Sequence, residues 1–102
     1  MNNPDARLRE LELTLPAPMQ TANLPFELIR IHERHVYLSG HVPLAADGSL
    51  ARPLGKVGGA VSLEEGQQAA RSVALGLLAT LNQALGSLDH VQNWLKLFGM
   101  VN

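Results

Sequence analysis

Apolar positions recur along the chain in more than one rhythm. Ala70, Val73, Ala74, Leu77, Leu78, Leu81 and Leu85 follow one another at three- and four-residue steps, the spacing of one face of an α-helix. Ser62-Leu63-Glu64-Glu65 stands in front of them. This is a capping box, in which the serine hydroxyl takes the amide proton of Glu65 and the Glu65 side chain answers to Ser62. Gly86 follows, where a left-handed residue ends a helix at low cost. The pattern predicts a main helix over 62–85, roughly 36 Å long. A helix of that length needs a sheet to lie on.

A two-residue rhythm runs from Phe26 to Ile31: Phe26, Leu28 and Arg30 fall on one face, Glu27, Ile29 and Ile31 on the other. The polar "HERH" of 32–35 follows, and the apolar run Val36-Tyr37-Leu38 starts a second strand. Two strands joined by so short a connection predict an antiparallel hairpin. Residues 91–101 also alternate, but with apolar groups on both sides: Trp94, Phe98 and Met100 with Lys96, against Leu95, Leu97, Gly99 and Val101. A strand apolar on both faces belongs inside a sheet. At the other end, Pro4 to Leu13 reads as a short helix. Asn3 caps it, Pro4 suits the first position, and Pro16 and Pro18 stop it. Residues 16–25 read as an extended connector.

Composition narrows the class. The chain has 102 residues, 46% hydrophobic and 17% charged, which fits one ordinary globular domain. Eight Lys and Arg stand against nine Asp and Glu, for a net charge of -1. With no basic cluster and only 4% aromatic residues, nucleic acid is not an expected partner. The absence of cysteine excludes disulfides, thiolate nucleophiles and Cys-based zinc sites. The N-terminus lacks the basic start and apolar core of a secretory signal, and no apolar run approaches the roughly 18 residues of a membrane helix. The expectation is a cytoplasmic protein without membrane contact.

Several residues invite sharper chemistry. "GKVGG" at 55–59 looks like a phosphate loop, but Val57 follows Lys56 where the Walker pattern requires Ser or Thr. A loop in which glycines let backbone segments approach is the better reading. Ser39 lacks the flanking glycines of a nucleophile elbow, so it reads as a strand-end serine capping its own backbone. His32, His35, His41 and His90 have no carboxylate at ligand spacing, and no metal is expected. Glu64 and Glu65 cap the main helix, Lys56 is a solvated loop residue, and Arg71 lies on a polar helix face. His41 stands apart because it follows the Ser39-Gly40 break, where an imidazole that titrates near neutral pH can orient water or bind a carboxylate.

The order hairpin, long helix, buried strand, taken with "VYLSGHVP", "GKVG", "SLEEGQQAAR", "LGSLD" and "LKLFGMVN", resembles the RidA/YjgF family, also called the endoribonuclease L-PSP family. It is most similar to the subgroup with an extra N-terminal helix. The resemblance covers nearly all of residues 5–102. It implies a chorismate-mutase-like α/β (α+β) fold, with the long helix packed on a mixed sheet, and homotrimers with a ligand cleft at each subunit interface. It implies no cofactor. Members hydrolyse reactive enamines and imines to keto acids and ammonia, and some are reported as ribonucleases. The expected function is therefore enamine/imine deamination, with non-catalytic metabolite binding or an interaction role as the alternative and ribonuclease activity the weakest.

Carried over position by position, the family's serine-glycine corner matches Ser39-Gly40, and the following residue, often glutamine in relatives, is His41. The tyrosine that lines the cleft in deaminating members, fourteen positions before that glycine, is Phe26 here. The ring is kept and the hydroxyl is lost. Phe26, Ser39, Gly40 and His41 are the candidate substrate-binding residues, and no catalytic residue is assigned. Family members continue for some tens of residues past the strand that corresponds to 91–101. That continuation carries the arginine for the substrate carboxylate and the acid that places water. The resemblance thus implies a single domain over 1–102 that is incomplete at its C-terminus, with the 91–101 strand left along an exposed edge.

Overall fold

The structure is a computed structural model, and it describes residues 3–20, 23–45 and 47–102. Its elements are α1 (Pro4–Glu10), β1 (Ile29–His32), β2 (His35–Leu38), α2 (Leu63–Leu85) and a 3-10 turn at Leu88–His90. The fold class is α+β, with a hairpin followed by a long helix.

Helix α1 begins as the sequence suggests: the Asn3 side chain accepts from the Ala6 amide at 3.1 Å, and Pro4 opens the first turn. It ends at Glu10 instead of Leu13, before the prolines have any effect. Glu12 adopts a left-handed φ of 55°. Its amide donates to the Arg9 carbonyl at 3.1 Å, and the Leu13 amide donates to the Leu8 carbonyl at 3.0 Å. These two bonds form a Schellman termination. The first turn of α1 is clasped to the far end of the chain. The Asp5 amide donates to Asp89 Oδ1 at 3.1 Å, while Ser87 Oγ donates to Asp5 Oδ2 and accepts from the Asp89 amide.

Strands β1 and β2 pair antiparallel, with Ile29 opposite Leu38 and His32 opposite His35. Glu33 and Arg34 alone make the reversal, with Glu33 at φ 54°. The ladder starts at Ile29 and not at Phe26. Before it, the Leu28 carbonyl is held by the Ser39 amide at 2.8 Å and the Glu27 carbonyl by the Ser39 hydroxyl at 2.6 Å. The sheet among the described residues is two-stranded and antiparallel, not the mixed sheet expected.

Helix α2 carries both halves of its capping box, Glu65 amide to Ser62 Oγ at 3.1 Å and Ser62 amide to Glu65 Oε1 at 2.9 Å. Gly86 closes it at φ 81°. The helix packs against β1 and the 3-10 turn. Leu28, Val61, Ala79, Leu81 and Leu88 are buried between these elements.

Residues 91–101 are the main correction. They form no strand. Strand is a paired state, and among the described residues no backbone group of 92–101 has a backbone partner. Only the last residue is tied back, by the Val57 amide donating to the Asn102 carbonyl at 3.0 Å. The apolar side chains of this arm are exposed on both faces, from 64% at Trp94 to 85% at Met100. No helix among the described residues is long and apolar enough to cross a membrane.

Candidate functional site

The end of β2 forms a corner in which Ser39 commits all of its polar groups. Its amide donates to the Leu28 carbonyl at 2.8 Å, and its hydroxyl donates to the Glu27 carbonyl at 2.6 Å. Its own carbonyl is bonded by His41 Nδ1 at 2.8 Å. The serine therefore caps the neighbouring segment, not its own backbone. Its proton is given to a carbonyl, not to a base, so the arrangement offers no nucleophile.

His41 turns away from solvent. It is half-buried, and its Nε2 lies 2.8 Å from Thr80 Oγ1 in α2. Thr80 is 4% exposed and also contacts the Gly76 carbonyl at 3.3 Å. The Ser39 carbonyl can only accept, so Nδ1 must be the donor. A neutral ring then takes the Thr80 proton on Nε2. Both nitrogens are thus engaged inside the protein, and the imidazole does not face outward as a water-binding group.

Gly40 is exposed, and a Cβ built on it would meet nothing within 4 Å. Its φ is not positive. Neither backbone strain nor internal crowding calls for glycine here, so the residue keeps open the outer side of the corner. Among the described residues, the Gly40 and His41 amides have no hydrogen-bond acceptor. Two successive free N–H groups on an open corner suit a carboxylate or a developing oxyanion. Phe26 adjoins Glu27, whose carbonyl holds the serine hydroxyl, and is 51% exposed. With Leu24, Pro25 and Glu27 it lines a shallow depression of about 330 Å³.

The four expected residues therefore lie around one strand end, but in different ways. Phe26 and Gly40 face outward, while Ser39 and His41 brace the corner from inside. Thr80 was not anticipated from sequence. Its signal was faint: one hydroxyl between Ala79 and Leu81 on the apolar face of the main helix. Among the described residues, no group of three or more His, Asp or Glu is placed to hold a metal ion. His32 and His35 are cross-strand neighbours at the hairpin tip.

The "GKVGG" loop serves structure. The Gly59 and Val61 amides both donate to the Lys56 carbonyl, at 3.0 and 3.1 Å, and the Gly58 amide donates to the Val61 carbonyl at 2.8 Å. With the Val57 amide donating to the Asn102 carbonyl, three successive loop amides, at Val57, Gly58 and Gly59, are already bonded within the chain and are not offered to a phosphate. A larger groove, of about 540 Å³, separates α1 from α2 and the start of the arm, with Arg7, Leu78, Leu88 and Trp94 among its walls.

No known family profile matches the sequence. The chain is 32% identical over 97 residues to Protein TCP17 of Trypanosoma cruzi, covering 95% of this chain and 59% of that one. It superposes on the crystal structure of Atu1372, a protein of unknown function from Agrobacterium tumefaciens, with a TM-score of 0.65 and 35% identity, over 82% of this chain and 49% of that one. With a provisionally assigned endoribonuclease of Shewanella oneidensis MR-1 the TM-score is 0.72 and the identity 32%, over 85% of this chain and 56% of that one. The chain thus spans between 49% and 59% of the length of these relatives, and where it superposes on the two crystal structures it shares their RidA-like α+β fold.

Proposed function

We propose that the chain is a member of the RidA/YjgF family, and that its Ser39–Gly40 corner is one wall of a site for a small carboxylated metabolite, at which a reactive enamine or imine is hydrolysed to a keto acid and ammonia. The observation that carries this reading is the open corner, where the Gly40 and His41 amides have no acceptor among the described residues and Gly40 keeps side-chain bulk away. Two crystal structures of the same fold, each above 30% identity, support the family. In the reaction, the enamine first tautomerises to the imine. Water adds to the imine carbon to give a carbinolamine. Its C–N bond breaks, the nitrogen takes a proton and leaves as ammonia, and the oxygen stays as the keto group. The two amides hold the substrate carboxylate, or the carbinolamine oxygen as it gives up its proton and ammonia leaves. The site lies at a subunit interface of a homotrimer, where the resemblance to the family implies a ligand cleft.

One observation favours a second reading, a binding member without catalysis. Phe26 offers no hydroxyl, and the ring nitrogens of His41 are already engaged, so neither side chain places the water. Release of ammonia and keto acid from freshly generated 2-aminoacrylate separates the two. Acceleration over buffer is expected for the deaminase. No acceleration by the assembled protein overturns it, and retained binding of pyruvate by calorimetry then leaves the second. Ribonuclease activity fits poorly with a net charge of -1; salt-dependent RNA binding would bring it back.

A further inference from the structure

We infer that His41 is a positioning residue that clamps the Ser39–Gly40 corner onto α2 in a single ring tautomer, with its proton on Nδ1. The inference refines the site proposed above and rests on reading that corner as its wall. Three links carry it. Ser39 is joined to the segment before β1 through the Leu28 and Glu27 carbonyls. His41 Nδ1 donates to the Ser39 carbonyl at 2.8 Å, across a two-residue step. His41 Nε2 accepts from Thr80 Oγ1 at 2.8 Å, across thirty-nine residues of sequence.

The order of donors in this chain is forced at one end. The Ser39 carbonyl has no proton to give, so Nδ1 carries one, and a neutral ring then has a bare Nε2. The Thr80 hydroxyl has a single proton. It points to Nε2, the closer partner, in preference to the Gly76 carbonyl at 3.3 Å. Thr80 is buried and α2 is anchored at both ends by its capping box and Gly86. The ring therefore links the end of the strand to a helix capped at both of its ends. The direction of the free Gly40 and His41 amides is set through this link, although the imidazole itself contacts no ligand.

Ring nitrogen chemical shifts of His41 in the ¹⁵N-labelled protein, recorded near pH 8 where an ordinary histidine of pKa about 6.5 is neutral, test the tautomer without any assay of activity. The expected pattern is a proton-bearing Nδ1 and a bare Nε2. The reverse pattern, or shifts averaged between two tautomers, overturns the inference. Thr80→Val removes the hydroxyl with little change of shape. One lost hydrogen bond predicts that exchange of the Ser39 amide with solvent speeds up roughly five- to tenfold, and Thr80→Ser should restore the slow rate. Unchanged exchange in Thr80→Val overturns the clamp. Neither readout depends on deamination, so a protein that fails on 2-aminoacrylate and still shows the Nδ1 tautomer refutes the enzyme and keeps the clamp.

Discussion

Glu12 and Glu33 hold left-handed φ angles of 55° and 54°, where a side chain crowds the following carbonyl and costs about 1–2 kcal/mol. Among the described residues, neither glutamate side chain has a hydrogen-bond or ion-pair partner that explains its identity. Glu12→Gly and Glu33→Gly are each expected to raise stability by about 0.5–1 kcal/mol, once the greater freedom of glycine in the unfolded chain is set against the strain relieved. Urea denaturation checks this, and a lowered midpoint would contradict the φ assignments. Asp47 is a second local case. Its Oδ1 accepts from the Ser49 hydroxyl at 2.6 Å and from the Ser49 amide at 2.9 Å. The hydroxyl first, and then the amide, hold its carboxyl below the ordinary aspartate value. A depressed folded pKa means that the turn is favoured at pH above the unfolded value of about 3.9 and loses that support as pH falls through the folded one. Titration of the Asp47 carboxyl carbon by NMR should give a midpoint below about 3.9, and Ser49→Ala should move it back up. At this scale the site was partly legible. The break at Ser39-Gly40 marks itself, as an apolar run that stops at a glycine. Thr80 does not, because the residue that gives it meaning lies thirty-nine positions away.

Helix α2 was readable almost to the residue because each of its signals is local: a capping box, a periodic face and a terminal glycine. Helix α1 was read three residues too long, since nothing about Glu12 as a residue type announces a left-handed turn. The expected strand over 91–101 failed for a different reason. Alternation describes what a segment can do when paired, and pairing is decided by other segments. Gly66 shows how packing overrides propensity within α2. A helix-interior glycine costs about 1 kcal/mol relative to alanine, yet a Cβ at Gly66 would stand 2.9 Å from Val57 Cγ2. The first turn of the helix can lie against the "GKVGG" loop only without that carbon. Gly66→Ala is therefore expected to lose about 1 kcal/mol, because overpacking of about 1–3 kcal/mol exceeds the propensity gain. Adding Val57→Ala should recover part of the loss, a coupling that chemical denaturation of both single variants and the double variant measures. A stabilised Gly66→Ala single variant would refute the contact.

The whole molecule exposes more surface than its mass warrants. Its accessible area is 8243 Å² for 11.0 kDa, whereas a compact monomer of that mass exposes about 5,600 Å². The excess, roughly 2,600 Å² by that scaling, exceeds the 1,600 Å² or so that a standard interface between two proteins buries in total. Its radius of gyration, 14.5 Å, is likewise above the about 13 Å expected for a compact chain of this length. Much of the surplus lies in the arm, where Leu95, Leu97, Phe98, Met100 and Val101 are 75% exposed or more. Unpaired backbone beside exposed apolar side chains on both faces is a surface that associates. Under the homotrimer proposed above, other copies of the chain cover it, the arm pairing with its own equivalent or with a neighbour's hairpin. The expected species in sedimentation is a multiple of 11.0 kDa, with amides of residues 92–101 protected from exchange. Leu97→Asp and Phe98→Asp place charges on opposite faces of the arm and should each shift the distribution toward monomer, while α2 keeps its helical circular dichroism. An 11.0 kDa monomer at high concentration, with arm amides that exchange freely, would show instead that the arm is tolerated bare.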